Sequence, residues 1–256
     1  MSGTKSTIKY VLFDMDGLMI DSERVYTDVT NEILAPYGAV MTWDIKAGLM
    51  GKPEHAAALH LLSFFPDIPL TPTAYLEQRT ALQDLRWPNV SLLPGVQKLV
   101  KHLYIHGIPM AIATGSVRRN YELKTAHLKD VFGLFGSNVL CADDPWAQNG
   151  ARGKPFPDVF LAAARAIGRM VGEGEVDDTD VTDVERAERM CGLIFEDAIA
   201  GVQAGKRAGM NVVWIPDPNL LKLDAQSDAQ KPDQLLRSLD EFKPEEWGLP
   251  PYDLVS

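Results

Sequence analysis

The 256-residue sequence predicts an α/β fold, a Rossmann-like doubly wound parallel sheet with a small α-helical domain inserted near its start. Three observations predict it. Short apolar, β-branched-rich runs recur at 8–13, 108–113, 138–141, 191–195 and 211–215. The later runs alternate with helical patterns at 95–106, 118–128, 158–167 and 198–208, as expected when parallel strands are covered on both faces. About ninety residues separate the first run from the second, far more than a crossover needs, and they carry helical patterns of their own.

The first run ends abruptly in Val11-Leu12-Phe13-Asp14-Met15-Asp16-Gly17. Side chains on a strand alternate with a period of two, so Asp14 and Asp16 are expected to start on one face. Such a pair repels itself unless a divalent cation or a shared proton offsets the charge, an arrangement suited to chemistry on phosphate. Gly17 lets the backbone turn away without a side-chain clash. Residues 22–35, 54–64 and 73–85 then read as helices, punctuated by prolines at 36, 53, 66, 69, 72 and 88. They define an inserted helical domain over 22–91, within a core formed by 1–21 and 92–256. A domain inserted directly after the carboxylate loop is expected to cover it, exclude water and choose the substrate. Lys52, beside Gly51 in a proline-bounded turn, is expected to read the leaving group, as are Glu23 and Tyr26 near the hinge. Asp21-Ser22 is expected to cap the first inserted helix.

Ligands of open parallel sheets collect outside the carboxyl ends of the strands. The second strand runs into Thr114-Gly115-Ser116, a hydroxyl and exposed N–H groups at the mouth of a helix, suited to an anion. Gly153-Lys154-Pro155 holds a lysine in a stiff turn before the helix at 158. The fourth strand ends in Glu196-Asp197. Singly, these are a helix cap, a surface lysine and an acidic turn. In sequence they give carboxylate, hydroxyl, lysine and carboxylate, the parts of a phosphate-handling site.

Composition bounds the remaining possibilities. Hydrophobic residues are 46% and charged residues 23%, as in ordinary globular proteins. The net charge of −10 argues against a nucleic-acid partner. Most of it lies between 173 and 188, where eight acidic residues face one arginine. With Gly172 and Gly174 beside it and little that could pack, this stretch reads as a solvated surface insertion, and its spacing does not fit a calcium-binding EF-hand loop. No apolar run approaches the ~18 residues that span a bilayer. Residues 1–9 carry no signal-peptide-like apolar segment, so a cytoplasmic protein with no membrane partner is expected. Cys141 and Cys191 sit in apolar runs without metal or disulfide spacing and read as buried thiols. A nucleotide-binding dehydrogenase is disfavoured, because no glycine-rich turn follows the first strand.

The four strand-end elements, together with the inserted helices, resemble the haloacid dehalogenase superfamily, and among its members those with a helical cap after the first strand. The resemblance covers essentially the whole chain. It is closest to the beta-phosphoglucomutase-like group, above all its pseudouridine-5'-phosphatases. The segments that carry it are Phe13-Asp14-Met15-Asp16-Gly17-Leu18, Trp43-Asp44-Ile45-Lys46, Met50-Gly51-Lys52, His106-Gly107-Ile108-Pro109 and Gly248-Leu249-Pro250-Pro251-Tyr252. The resemblance implies a phosphomonoesterase working through an aspartyl-phosphate, with Asp14 as nucleophile and Asp16 as general acid and then base. It implies that Thr114 and Lys154, with the N–H groups of Met15, Gly115 and Ser116, hold the phosphoryl oxygens. It implies Mg²⁺ on the Asp14 side chain, the Asp16 backbone carbonyl and Asp197, with Glu196 nearby or ligating. The implied partner is a small-molecule phosphate monoester, a nucleotide or sugar monophosphate with pseudouridine 5'-phosphate foremost, taken by a monomer. Alternatives are a sugar or polyol phosphatase, acting on 2-deoxyglucose 6-phosphate or glycerol phosphate, and a sugar phosphate mutase. The mutases carry a histidine where this chain has Tyr26. Phe156 departs from the small or polar residue more often found after the lysine and proline.

Overall fold

The computed structural model describes residues 7–49, 54–148, 150–220 and 231–253. The chain divides into two compact units, with boundaries between Ile20 and Asp21 and between Ser91 and Leu92.

The larger unit is built on a six-stranded, all-parallel sheet: β1 (Tyr10–Phe13), β2 (Met110–Ala113), β3 (Val139–Leu140), β4 (Gly192–Glu196), β5 (Asn211–Trp214) and β6 (Gln234–Leu235), in the order β3-β2-β1-β4-β5-β6. The strands at 8–13, 108–113, 138–141, 191–195 and 211–215 all form, four of them trimmed by a residue or more and the fourth shifted by one to end at Glu196, while the two-residue β6 was not read from the sequence. Its helices are α5 (Val96–Ile105), α6 (Arg118–Thr125), α7 (Lys129–Phe132), α8 (Asp158–Ala166), α9 (Asp183–Arg189) and α10 (Ile199–Arg207). The helix labels α1–α4 belong to the inserted unit described below.

Central strands read as unbroken apolar runs because both faces are covered. Every residue of β1 and β2 is buried. Tyr10 and Leu12 pack with Ala111, Ile194 and Val212 against Val159, Phe160 and Ala163 of α8 and Val202 and Ala204 of α10. On alternate positions Phe13 stacks on Phe195, with centroids 5.2 Å apart, and meets Phe135 edge-on, while Phe195 meets Phe242. Burying each such ring contributes roughly 2–3 kcal/mol. This aromatic row lies one residue before Asp14 on β1 and before Glu196 on β4, so it fixes the backbone from which both carboxylates project. The strand order reverses beside β1, and the carboxyl ends of β1 and β4 flank that switch point.

The acidic segment after α8 is more ordered than a solvated insertion. Val171 and Val181 are buried, and α9 is held by a reciprocal capping box between Thr182 and Glu185. Arg189, fully buried, donates to the carbonyls of Val171 (2.6 Å), Glu173 (2.9 Å), Gly174 (3.1 Å) and Ala208 (3.5 Å). The acidic side chains face water while this arginine satisfies the backbone beneath them. Of the two thiols expected to be buried, Cys141 is, whereas Cys191 is half-buried, and neither forms a disulfide.

The smaller unit contains α1 (Ser22–Leu34), α2 (Trp43–Leu49), α3 (Glu54–Ser63) and α4 (Pro72–Arg86), three of them at the positions read from the sequence and α2 additional. Thr71 caps α4 through the Ala74 N–H, with Pro72 in the first turn, where its missing donor costs nothing. Asp21 occupies the N-cap of α1 but makes no side-chain capping bond; it pairs instead with Arg24. Among the described residues no helix is long and apolar enough to cross a membrane.

Arg189→Met keeps the volume but leaves buried carbonyls without a donor, each costing about 1–3 kcal/mol. The variant is expected to melt several degrees below the unaltered protein; an unchanged melting temperature would contradict this role for the buried guanidinium.

Candidate active site

β1 ends at Phe13, and the N–H of Asp14 donates to the carbonyl of Phe195 on β4 at 3.0 Å. This last rung places Asp14 beside the end of β4. Gly17 turns the chain with φ +80°, in the left-handed region that favours glycine, and the loop closes as Gly17 N–H donates to Ile20 and Met19 and Ile20 N–H groups donate to Met15. Asp14 and Asp16 therefore both lie beyond the last residue of β1, and each finds its own partners. Asp14 is drawn into a cluster with Glu196 and Asp197, whereas Asp16 reaches sideways to the loop after β2.

The Asp14, Glu196 and Asp197 carboxylates are all buried and each offers an oxygen within 4.8 Å of the others. Lys154 enters this cluster from the loop before α8, its Nζ donating to Asp14 Oδ1 and Glu196 Oε1, both at 2.5 Å. Burial pushes the Asp14 carboxyl up to about 7; Lys154 pulls against that shift, and Glu196 and Asp16 add to it. For Lys154, burial works against the charge, but Asp14 and Glu196 outweigh it and hold the ammonium well above its ordinary value. Lys154 is a fixed cation.

Glu196 is fully buried, and its other oxygen accepts from the N–H groups of Asp197 (3.1 Å) and Ala198 (3.2 Å). It sits where only glycine can face it from α10: a Cβ on Gly201 would lie 1.8 Å from the Glu196 carboxyl carbon. Asp197 is held by its carbonyl, which accepts from Trp214 Nε1 at 2.7 Å.

Two guanidinium groups approach the Phe156 ring, Arg152 at 4.0 Å and Arg207 at 5.4 Å from its centroid. Arg207 also donates to the carbonyl of Pro155, and Arg152 pairs with Asp158 at the start of α8. The aromatic residue at this position thus packs against an arginine of its own loop and one of α10.

Thr114 is buried past the end of β2, its N–H bonded to the carbonyl of Leu140. Its hydroxyl accepts from the Ser116 N–H at 3.0 Å and reaches Asp16 Oδ2 at 3.5 Å. The Ser116 hydroxyl donates to the same Asp16 oxygen at 2.7 Å. A Cβ on Gly115 would meet nothing within 4 Å, so its backbone is open on that side.

A second lysine completes this arrangement, and it was not read from the sequence. Lys124 of α6 is fully buried, and its Nζ lies 2.6 Å from Asp16 Oδ1 and 3.0 Å from Ser116 Oγ. Helix α6 is polar at most positions, which hides an inward lysine. The spacing of Tyr121, Lys124, Thr125 and Leu128 on one helical face was the signal available.

Of the residues expected to read the leaving group, Lys52 and its Met50-Gly51 neighbours lie outside the described residues. Glu23 pairs with Lys46 at 2.9 Å, and Lys46 is further bonded to the Thr27 hydroxyl. Tyr26 packs edge-on against Trp87.

Four carboxylates, Asp14, Asp16, Glu196 and Asp197, thus meet two ammonium groups, leaving two negative charges when all are ionised. The oxygen-only donor set and the residual charge fit a hard divalent cation at Asp14 and Asp197, with Glu196 beside them.

A haloacid dehalogenase-like hydrolase family model matches residues 8–209. The chain is 42% identical over 251 residues to (DL)-glycerol-3-phosphatase 2 of Arabidopsis thaliana, covering 97% of this chain and 95% of that protein. It is 36% identical over 245 residues to a probable pseudouridine-5'-phosphatase of Drosophila melanogaster, covering 96% of each. A crystal structure of a HAD family hydrolase from Deinococcus radiodurans, with bound phosphate and sodium, shares the fold at a TM-score of 0.72 and 22% identity, covering 96% of this chain and 99% of that one. With site geometry and near full-length phosphatase relatives in agreement, the chain belongs to the haloacid dehalogenase-like hydrolase family, as a phosphatase.

Proposed function

We propose that this phosphatase is a Mg²⁺-dependent phosphomonoesterase that passes the phosphoryl group through Asp14, with glycerol 3-phosphate as its first substrate. The observation that carries the reading is the buried Asp14 carboxylate held between Lys154 and the Glu196–Asp197 pair. Asp14 attacks phosphorus in line; the bond from phosphorus to the ester oxygen breaks, and the Asp16 carboxyl gives the departing alkoxide its proton. In the second step Asp16 takes a proton from water as that water attacks phosphorus, which frees Asp14 and releases phosphate. Lys154, Thr114 and the backbone N–H of Gly115 hold the phosphoryl oxygens, and fixed donors need no reorganisation as charge moves. The Ser116 N–H and hydroxyl are committed to Thr114 and Asp16, so Ser116 supports Asp16 in this reading.

The side chains of Asp14 and Asp197 would hold Mg²⁺, with the Asp16 backbone carbonyl as a third ligand and Glu196 anchoring Lys154 beside them. When bound, the ion would offset the repulsion between an anionic nucleophile and an anionic ester.

Similarity to the glycerol-3-phosphatase supports a short polyol as the leaving group. Pseudouridine 5'-phosphate is the second reading, supported by the 36% identity to the fly protein and to a probable pseudouridine-5'-phosphatase of Saccharomyces cerevisiae. The test is phosphate release from glycerol 3-phosphate, pseudouridine 5'-phosphate and glucose 6-phosphate, with Asp14→Asn as control. Glycerol 3-phosphate is expected to have the highest kcat/KM. A preference for the nucleotide of tenfold or so, about 1.4 kcal/mol, would favour the second reading. Full activity of Asp14→Asn would sink both.

Because the Asp14 carboxyl is pushed up to about 7, a proton competes with the cation at lower pH. Titration calorimetry with Mg²⁺ is expected to show affinity rising as pH increases toward about 7 and levelling above it, with proton release on binding at acidic pH. An affinity independent of pH across neutrality would contradict the ligand assignment.

A further inference from the structure

We infer that Lys124 is a positioning residue of the active site: with the Ser116 hydroxyl it clamps the Asp16 carboxylate in the orientation that exchanges protons with the leaving group and with water. The inference rests on the reading of Asp16 as acid and base and deepens it.

Three facts carry it. A lysine buried this completely is costly unless paired, since removing an ammonium group from water is expensive in any protein interior. Lys124 has no exposed surface, and its Nζ pairs with the Asp16 carboxylate at 2.6 Å. The contacts also divide the carboxylate cleanly. Oδ1 takes the ammonium, while Oδ2 takes the Ser116 hydroxyl at 2.7 Å and the more distant Thr114 hydroxyl at 3.5 Å. Finally, the clamp closes on itself, because Lys124 Nζ also reaches Ser116 Oγ at 3.0 Å. An aspartate side chain in a loop has torsions to fix, and these donors from α6 and the β2–α6 loop hold both of its oxygens. Asp14 has its own ammonium partner in Lys154.

Positioning and structural roles are separated by kinetics. Acid–base catalysis contributes roughly 10²–10⁴-fold, so a misoriented Asp16 should cost a large part of that in kcat. Lys124→Met is expected to lower kcat for glycerol 3-phosphate by about 10²-fold with KM within about threefold. Lys124→Arg, which keeps the charge, should recover much of the loss. With p-nitrophenyl phosphate, whose leaving group needs no proton, Lys124→Met should still release its first equivalent of nitrophenolate rapidly and then turn over slowly, because only hydrolysis of the phosphoenzyme depends on Asp16. In an Asp16→Asn background the lysine substitution should have no further effect.

Ser116→Ala tests the other half of the clamp without leaving a buried charge unpaired, and so decides the matter even if Lys124→Met does not fold. A fall in kcat at constant KM supports the clamp, and a rise in KM alone contradicts it. The inference is also overturned if folded Lys124→Met keeps kcat within twofold, or loses as much again in the Asp16→Asn background. If Asp16→Asn itself retains full turnover, it is the acid–base reading that fails rather than the clamp alone.

Discussion

Lys154 is the constraint on which the rest of the site depends. Without it, Asp14 and Glu196 would be two buried carboxylates at the ends of neighbouring strands with no lysine between them. With its Nζ 2.5 Å from each, they can share a site that stays negative overall. Buried ion pairs rarely add net stability, because desolvation consumes most of the Coulomb attraction, whereas removing one partner costs about 3–5 kcal/mol. The cluster is therefore better understood as a site held ready for an ion and an anionic substrate than as an element that stabilises the fold.

The sheet supplies the rigidity this requires. Asp14 and Glu196 follow directly on Phe13 and Phe195, which stack on each other across β1 and β4, so the carboxylates cannot drift apart without unpacking an aromatic row. Gly201 removes the one atom of α10 that would collide with Glu196. Phe156 and the Pro155 carbonyl, both contacted by Arg207 of α10, link the loop that delivers Lys154 to that helix. Two lysines divide the labour by place: one on the loop before α8 serves Asp14, the other, within α6, serves Asp16.

Much of this was legible in the sequence because period and position carry it. Five of six strands and the long helices follow from apolar runs and their alternation, and Asp14, Thr114, Lys154, Glu196 and Asp197 stand at strand ends or in the loop that feeds them. What was not legible depended on tertiary contact. That Asp14 would pair with Lys154 and Asp16 with Lys124 and Ser116 could not be read, because both aspartates follow the end of β1 and their partners are set by tertiary contact. Lys124 was hard to read because α6 is polar at most positions, and only its spacing with Tyr121, Thr125 and Leu128 marked an inward face. The acidic segment looked unpackable because its acidic side chains dominate the composition, while a single buried arginine beyond them satisfies the backbone.

The central claim is that Asp14 becomes phosphorylated, and the most direct measurement is acid quench of a single turnover followed by peptide mass spectrometry. The account predicts a phosphoryl group on the peptide that contains Asp14, absent from Asp14→Asn and cleared when turnover is allowed to finish. Phosphate release at an undiminished rate with no phosphorylated peptide at any quench time would contradict it, and would mean that water attacks the ester directly.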